Sequence, residues 1–226
     1  SEKIRLKTIL SIDCGTQSLR AALFSPEGEL LAIQRILFEP YVSQQPGWAE
    51  QNPEVYWRAL TEACQKLKAE NSEYFESIVG VGVTTMRDSL VNVDEQGNAL
   101  RPLMVWLDQR KAAPVYTPGI IMKLIIWFIG MTDSIRKAQR DGKCNWIRQN
   151  QPEIWKKTHK FLQVSGLLNF RLTGTFRDSV ASQIGHVPFD YKRQKWGNPK
   201  RPFVFSAKLY PIEKDKLPEL VKPGEI

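Results

Sequence analysis

With two histidines and three cysteines among 226 residues, the chain has little of the usual equipment for nucleophilic or metal-centred catalysis. Cys14, Cys64 and Cys144 lie far apart and form no CxxC pair. That argues against a zinc site and against a disulfide framework, and points to a reducing compartment. His159 and His186 have no Ser or Cys partner motif, so both read as ordinary surface or core residues. The nucleotide motif G-x-x-x-x-G-K followed by Ser or Thr does not occur, and Gly80-Val81-Gly82 lacks the third glycine and following helix of a dinucleotide fingerprint. Long apolar runs are also missing. The greasiest stretch, Ile120 to Met131, contains Lys123 and is too short to cross a bilayer, so it reads as a buried or a partner-facing helix. The first residues are charged and lack the apolar core and cleavage site of a secretory signal. These absences favour a cytoplasmic protein with no membrane partner.

The remaining composition, 42% apolar and 25% charged, is that of an ordinary globular domain, and the length allows one sizeable α/β domain with a small appended subdomain. The net charge of +8 is spread along the chain with mild clusters at 155–160 and 192–201. A solvated face or attraction for an anionic nucleotide explains it without a nucleic-acid partner.

The most informative segment is TILSIDCGTQSLRAALF, residues 8–24. Two short apolar runs flank a polar turn in which Gly15 permits the tight bend and Asp13 and Ser18 favour it. Successive backbone N–H groups and the hydroxyls of Thr16 and Ser18 would form an anion-binding concavity, with Asp13 placed to hold Mg²⁺ through water. An ordinary hairpin with a polar loop fits this segment equally well. A third strand over Glu29–Ile36 completes an antiparallel meander. Asn52 and Pro53 open a helix in which Tyr56, Leu60, Cys64 and Leu67 recur at helical spacing to about Glu70. Ile78–Thr84 is nearly continuously apolar and predicts a strand buried on both faces. Strands follow at Leu90–Val93 and Pro102–Trp106. Beyond Arg110 the pattern predicts helices at about 119–130, 134–150, 152–157 and 159–172, the last closed by Thr173-Gly174. After Asp190 the chain reads as connecting structure.

Two clusters carry candidate chemistry. Arg87 and Asp88 directly follow the apolar strand, at the sheet edge where α/β proteins place ligands. Their donors and acceptors suit the neighbouring hydroxyls of a sugar or polyol, although strands commonly end in solvated charges. In PLMVWLDQR, residues 102–110, the indole of Trp106 could stack on the C–H face of a carbohydrate or could belong to the core, and Trp48 could likewise plug a loop.

Together these residues resemble the amino-terminal lobe of the FGGY carbohydrate kinases, which include glycerol, xylulose and gluconate kinases. DCGTQSLR is similar to that family's first phosphate motif, QPGWAEQNPEVYW to its Pro-Gly-Trp loop and helix, and GVGVTTMRDSLVNVDEQGNALRPLMVWLDQR to its substrate strand and Trp-Asp-x-Arg segment. LLNFRLTG and DSVASQIGHVPFD continue the order to about residue 190. The resemblance implies a ribonuclease-H-like α/β lobe, of the kind shared with actin, Hsp70 and hexokinase, whose mixed sheet opens with the meander and carries packed helices. It implies ATP and Mg²⁺ as cofactors. Asp13 is then the metal-associated acid, with Gly15, Thr16, Gln17, Ser18 and Arg20 at the phosphates, and Arg87, Asp88 and Trp106 at the sugar or polyol. Met86 and Ala138 depart from the glycerol-kinase pattern and leave the acceptor open. The family's catalytic aspartate has no counterpart within residues 1–226, and neither Asp178 nor Asp190 takes its place, so the base is expected beyond Ile226. The expectation is therefore a single amino-terminal lobe, inactive alone, whose partners are nucleotide, a small sugar or polyol, a second lobe and, in a homodimer, a second copy of itself. An actin- or Hsp70-like binding module is the rival reading.

Overall fold

The computed structural model describes residues 7–225, which divide into two compact units. Ile226 lies outside the described residues. The first unit runs to Val42 and resumes over Gln51–Met86. Its strands β1 (Thr8–Cys14), β2 (Ser18–Phe24) and β3 (Leu30–Leu37) form the expected antiparallel meander. After β4 (Glu50–Gln51), which joins the second sheet, come α1 (Glu54–Glu70), α2 (Ser72–Glu76) and β5 (Ile78–Thr85). The first sheet has the order β3-β2-β1-β5, with β5 parallel to β1.

Period-two alternation in β1 buries Leu10, Ile12 and Cys14 on one face and leaves Ile9 and Asp13 on the other. The buried face meets α1, whose Tyr56, Ala59, Leu60, Ala63 and Leu67 line one side at helical spacing. The helix starts as its sequence demands. Asn52 Oδ1 accepts the Glu54 N–H at 3.0 Å, and Pro53 fixes the entry. The prediction for 78–84 needs correction, because Val79 and Val81 are more than half exposed. α1 packs on β2 and β3 and leaves uncovered the edge strand β5, whose apolar run is therefore not buried on both faces.

The second unit holds Ser43–Glu50 and residues from Arg87 onward. A four-stranded sheet of order β4-β7-β6-β8 is built from β6 (Leu90–Val93), β7 (Leu103–Met104) and β8 (Lys160–Gln163). Helices α3 (Ile120–Phe128), α4 (Thr132–Asp141), α5 (Lys143–Asn150) and α6 (Pro152–Lys157) contribute to a core that includes Leu90, Met104, Ile147 and Phe161, and α7 (Val164–Thr173) follows β8. Later come β9 (Arg177–Ser179), β10 (Phe189–Asp190), β11 (Lys195–Trp196), α8 (Phe205–Leu209) and β12 (Glu219–Val221). β12 pairs in parallel with β9, so the tail is more ordered than its weak periodicity implied.

Three further boundaries move. The helix expected over 159–172 begins only at Val164, because Lys160–Gln163 pair with β6; a short apolar run looks the same in a strand and in a buried helix. The helix expected over 134–150 breaks at Gly142, which is extended (ψ 110°) and so close to Tyr210 that a Cβ there would lie 3.0 Å from the ring. The strand expected over 102–106 shrinks to Leu103–Met104. Of the apolar helix α3 only Ile126 is buried, which leaves the partner-facing reading and removes the buried one. No helix among the described residues is long and apolar enough to cross a membrane.

Gly97, at φ 80°, lies where a Cβ would fall 2.0 Å from Phe170 Cε1, a ring stacked on Phe176. Gly97→Ala combines left-handed strain with a clash in a packed core, and is expected to lower the unfolding free energy by about 3 kcal/mol, read as a shift of the urea midpoint at unchanged m-value.

Candidate functional site

In the first unit the opening hairpin is tight: the Gly15 N–H donates to the Ser18 carbonyl at 2.9 Å, and Asp13 sits directly across from Arg20. The Arg20 Nη1 donates to Asp13 Oδ2 at 2.8 Å, with both side chains about half exposed, so the pair is solvated and held more by register than by charge. Thr84 Oγ1 on the neighbouring strand is 3.4 Å from Asp13 Oδ1. Gln17 is exposed at the tip, Thr16 is half-buried, and Ser18 is buried at the start of β2. All six predicted residues of this motif therefore come together on one hairpin. Among the described residues no group of three or more His, Cys, Asp or Glu could hold a metal. A Mg²⁺ ion keeps several waters and needs only one or two carboxylates plus phosphate oxygens, so a lone, half-exposed Asp13 fits a water-mediated contact and not a protein cage.

In the second unit Arg87, Asp88 and Trp106 gather at one corner. The Trp106 N–H donates to Ser89 Oγ at 3.1 Å, which ties the end of the 103–106 segment to the residue after Asp88. Trp106 is 50% exposed, so the core alternative for its indole is not what the fold adopts. Arg87 is exposed, with no hydrogen bond or ion pair among the described residues.

Asp88 is different. It stands at φ 56°, a left-handed conformation costing a non-glycine residue about 1 kcal/mol or more, and its carboxylate is surrounded by donors. Oδ1 accepts the His186 N–H at 2.9 Å, and Oδ2 lies 2.8 Å from both Lys143 Nζ and His186 Nδ1. Burial alone would raise its pKa; the His186 hydrogen bonds and the Lys143 ammonium overcome this and hold it at about 2. The Asp88 N–H donates to Gln163 Oε1 at 3.2 Å. His186 is thus part of the Asp88 cluster and not the ordinary residue that its sequence context implies. No local motif could have found it, because 98 positions separate it from Asp88.

A second charged cluster joins Asp108 and Arg110 of the 102–110 segment, and Trp48, to residues the sequence pattern did not single out, Glu50, Arg101 and Trp146. Arg110 is buried and donates from Nε and Nη2 to Asp108 and from Nη2 to Glu50 Oε1 at 2.8 Å. Its guanidinium carbon lies 4.1 Å from the Trp48 ring centroid and 4.4 Å from that of Trp146. Arg101 also pairs with Glu50. Asp108 Oδ2 accepts the Ala49 N–H at 2.8 Å, and the Gln109 N–H donates to Gly47 O at 2.8 Å. The Pro-Gly-Trp and Trp-Asp-x-Arg segments are clasped together here, with Trp48 as a plug.

Asp178 is fully buried, accepting from Ser165, Asn169, Gln183 and the Ser179 N–H. Burial pushes its carboxyl up to about 6 despite these donors. No route leads from it to solvent, and it is a packing hub of α7. Asp190 caps a turn through Arg193. The base expected beyond Ile226 falls outside the described residues, as does Ile226 itself. A cavity of about 580 Å³ between Tyr116, Trp127 and Gln139 includes none of the predicted site residues.

Residues 8–226 match the N-terminal domain of the FGGY family of carbohydrate kinases. The chain is 37% identical over 202 residues to a glycerol kinase of Nitrosomonas eutropha, covering 83% of this chain and 39% of that one. It is 25% identical over 197 residues to a xylulose kinase of Bacillus subtilis, covering 85% and 38%. It superposes on the crystal structure of a xyloylose kinase from Brucella ovis with a TM-score of 0.76 at 21% identity, over 95% of this chain and 42% of that one. That likeness establishes the fold, the mixed α/β ATPase fold of the actin and hexokinase type. The chain spans about two-fifths of the length of the curated relatives it matches.

Two outcomes test the electrostatics. Glu50→Gln leaves Arg101 and Arg110 buried without one carboxylate and should cost about 3–5 kcal/mol in urea unfolding. Asp178 titrates above its unfolded value of about 3.9, so between about pH 4 and 6 the folded form keeps a proton that the unfolded chain releases. Unfolding free energy should therefore fall as pH rises through that window, by up to about 3 kcal/mol, and Asp178→Asn should flatten the slope. Asp88 acts oppositely and lower down: its contribution is complete above about pH 4 and fades only as pH falls toward 2.

Proposed function

The chain belongs to the FGGY family of carbohydrate kinases, and we propose that it is the amino-terminal lobe of an enzyme that transfers the γ-phosphoryl of ATP to a hydroxyl of a small sugar or polyol. The observation that carries the reading is the exposed indole of Trp106, fixed beside Arg87 and Asp88 where a core position would have hidden it. Bound nucleotide supplies the phosphoryl group, with Mg²⁺ neutralising its oxygens.

This chain's own residues position and bind. On the hairpin, the N–H groups of the turn with Thr16, Gln17, Ser18 and Arg20 would hold phosphate oxygens, and Asp13 would order the waters of the metal. The Asp13–Arg20 pair, 2.8 Å apart, would hold both groups on the hairpin before nucleotide arrives. In the second unit Trp106 would offer its face to the C–H side of the acceptor and Arg87 would donate to its hydroxyls. None of the described carboxylates is assigned as the base that deprotonates the acceptor. Asp178 is sealed in the core and Asp190 is engaged in its turn. We therefore infer that the base is supplied from beyond Ile226, and expect the lobe alone to be inactive.

Saturation-transfer NMR on the whole protein with glycerol, xylitol and D-xylulose tests the acceptor site. A signal from at least one of them should fall about tenfold or more in affinity, roughly 1.4 kcal/mol, in Trp106→Ala and Arg87→Ala, while Asp13→Ala weakens ATP binding and leaves acceptor affinity alone. Wild-type acceptor affinity in both substrate-site variants would overturn the assignment.

A further inference from the structure

The Asp88 carboxylate is committed within the protein. Three donors occupy its two oxygens: the His186 N–H, His186 Nδ1 and Lys143 Nζ. A carboxylate offers about four lone-pair positions, and the remaining side is closed off. Asp88 is only 16% exposed, and Gly185 presses so near that a Cβ there would stand 2.6 Å from Oδ1. Asp88 at φ 56° is in the left-handed region, a strained backbone for a non-glycine residue, and it meets Gly185, 97 positions away in sequence, whose φ of 115° is open to glycine. Lys143, 4% exposed, opens helix α5, where a cation opposes the helix dipole; the buried carboxylate is what offsets it.

The consequence falls on the imidazole. An ionised carboxylate can only accept, so Nδ1 of His186 carries a proton, and in the neutral imidazole Nε2 then carries the lone pair. Tyr210 meets the ring at 85° with centroids 5.5 Å apart and restricts its rotation. The histidine side chain is 26% exposed, and Nε2 has no hydrogen-bond partner among the described residues. The cluster thus holds one oriented acceptor at its solvent side, supported from behind by a carboxylate and a buried ammonium.

We propose that His186, through Nε2, is the acceptor that reads a hydroxyl of the sugar or polyol, and that Asp88 and Lys143 are positioning residues that fix its tautomer and aim. The inference rests on the carbohydrate-kinase reading above and adds to it a substrate contact from the 178–190 segment. Specificity then follows from geometry. A hydroxyl that donates to Nε2 is recognised, and an analogue lacking it leaves a polar site unpaired and is rejected.

The test is long-range ¹H–¹⁵N imidazole NMR of the whole protein, with the His186 signals identified by their loss in His186→Phe. Without ligand, His186 should show the Nδ1–H tautomer. Addition of glycerol, xylitol or D-xylulose, whichever gives saturation transfer, should move the Nε2 resonance and leave the tautomer unchanged. Asp88→Asn should lose the tautomer preference and with it most of the ligand-induced shift at Nε2, a coupled loss that a purely structural role for the cluster would not produce. In binding assays His186→Phe should weaken that ligand at least tenfold with ATP affinity unchanged, and His186→Gln, which can place an amide oxygen near the Nε2 position, should recover part of the loss. Saturation transfer to a ligand that leaves the His186 resonances unmoved overturns the proposal and spares the kinase reading. Absence of saturation transfer to all three ligands from wild-type protein counts against both. Should His186→Phe fail to fold, its binding data are set aside, the signals are identified in His186→Gln instead, and the wild-type ligand shift decides alone.

Discussion

The second unit depends on a guanidinium that has been taken out of water. Removing Arg110 from solvent is unfavourable unless its polar edge is paired and its carbon packed: the indoles of Trp48 and Trp146, edge to face with each other, lie 4.1 and 4.4 Å from the guanidinium carbon, and carboxylates of Asp108 and Glu50 take most of the edge. One nitrogen, Nη1, is buried without a partner, as is Nη1 of Arg101. Each group in the cluster fixes another. Asp108 also holds the Ala49 N–H, Glu50 also holds Arg101, and Arg101 reaches Gln151 at 2.8 Å. The loop around Gly47 and the segment from Val105 to Arg110 are therefore one rigid piece. That segment is held on both sides of Trp106, whose indole remains half exposed.

The same logic, a buried charge that tolerates no loose partners, governs the corner at Asp88. Its left-handed backbone would be unfavourable in isolation, and three donors and a close glycine hold it there. A site that must discriminate hydroxyl patterns gains from such rigidity, since groups already aimed lose little entropy when a ligand arrives. The first unit achieves its order by simpler means. Strand register alone puts Asp13 opposite Arg20, and alternation along β1 sends the acid to the face that α1 does not cover.

Local features were legible in the sequence. The hairpin, the meander, the Asn52-Pro53 start of α1 and the Gly174 end of α7 all follow from turn chemistry and short-range periodicity, and Gly174 is found at φ 72° with its N–H on Phe170 O. The six hairpin residues could be named because one contiguous motif carries them. What escaped was set by distant partners. Lys160–Gln163 look helical until β6 supplies a strand to pair with, and the break at Gly142 reflects a Tyr210 ring arriving from far along the chain. Val79 and Val81 read as buried because apolarity reports what a strand can cover and not whether a helix reaches it. His186 and Arg110 were missed as site and clasp for the same reason. Their roles arise from contacts with Asp88, Trp48 and Trp146 that no window of sequence contains.

If these rigid corners serve phosphoryl transfer to a carbohydrate hydroxyl, nucleotide turnover must depend on a carbohydrate. The most direct measurement is ADP release by the whole protein with ATP and Mg²⁺, with and without a panel of sugars and polyols. Release should be slow alone and rise with at least one carbohydrate, with one phosphorylated carbohydrate formed for each ADP. Release that is indifferent to every carbohydrate in the panel would contradict that role.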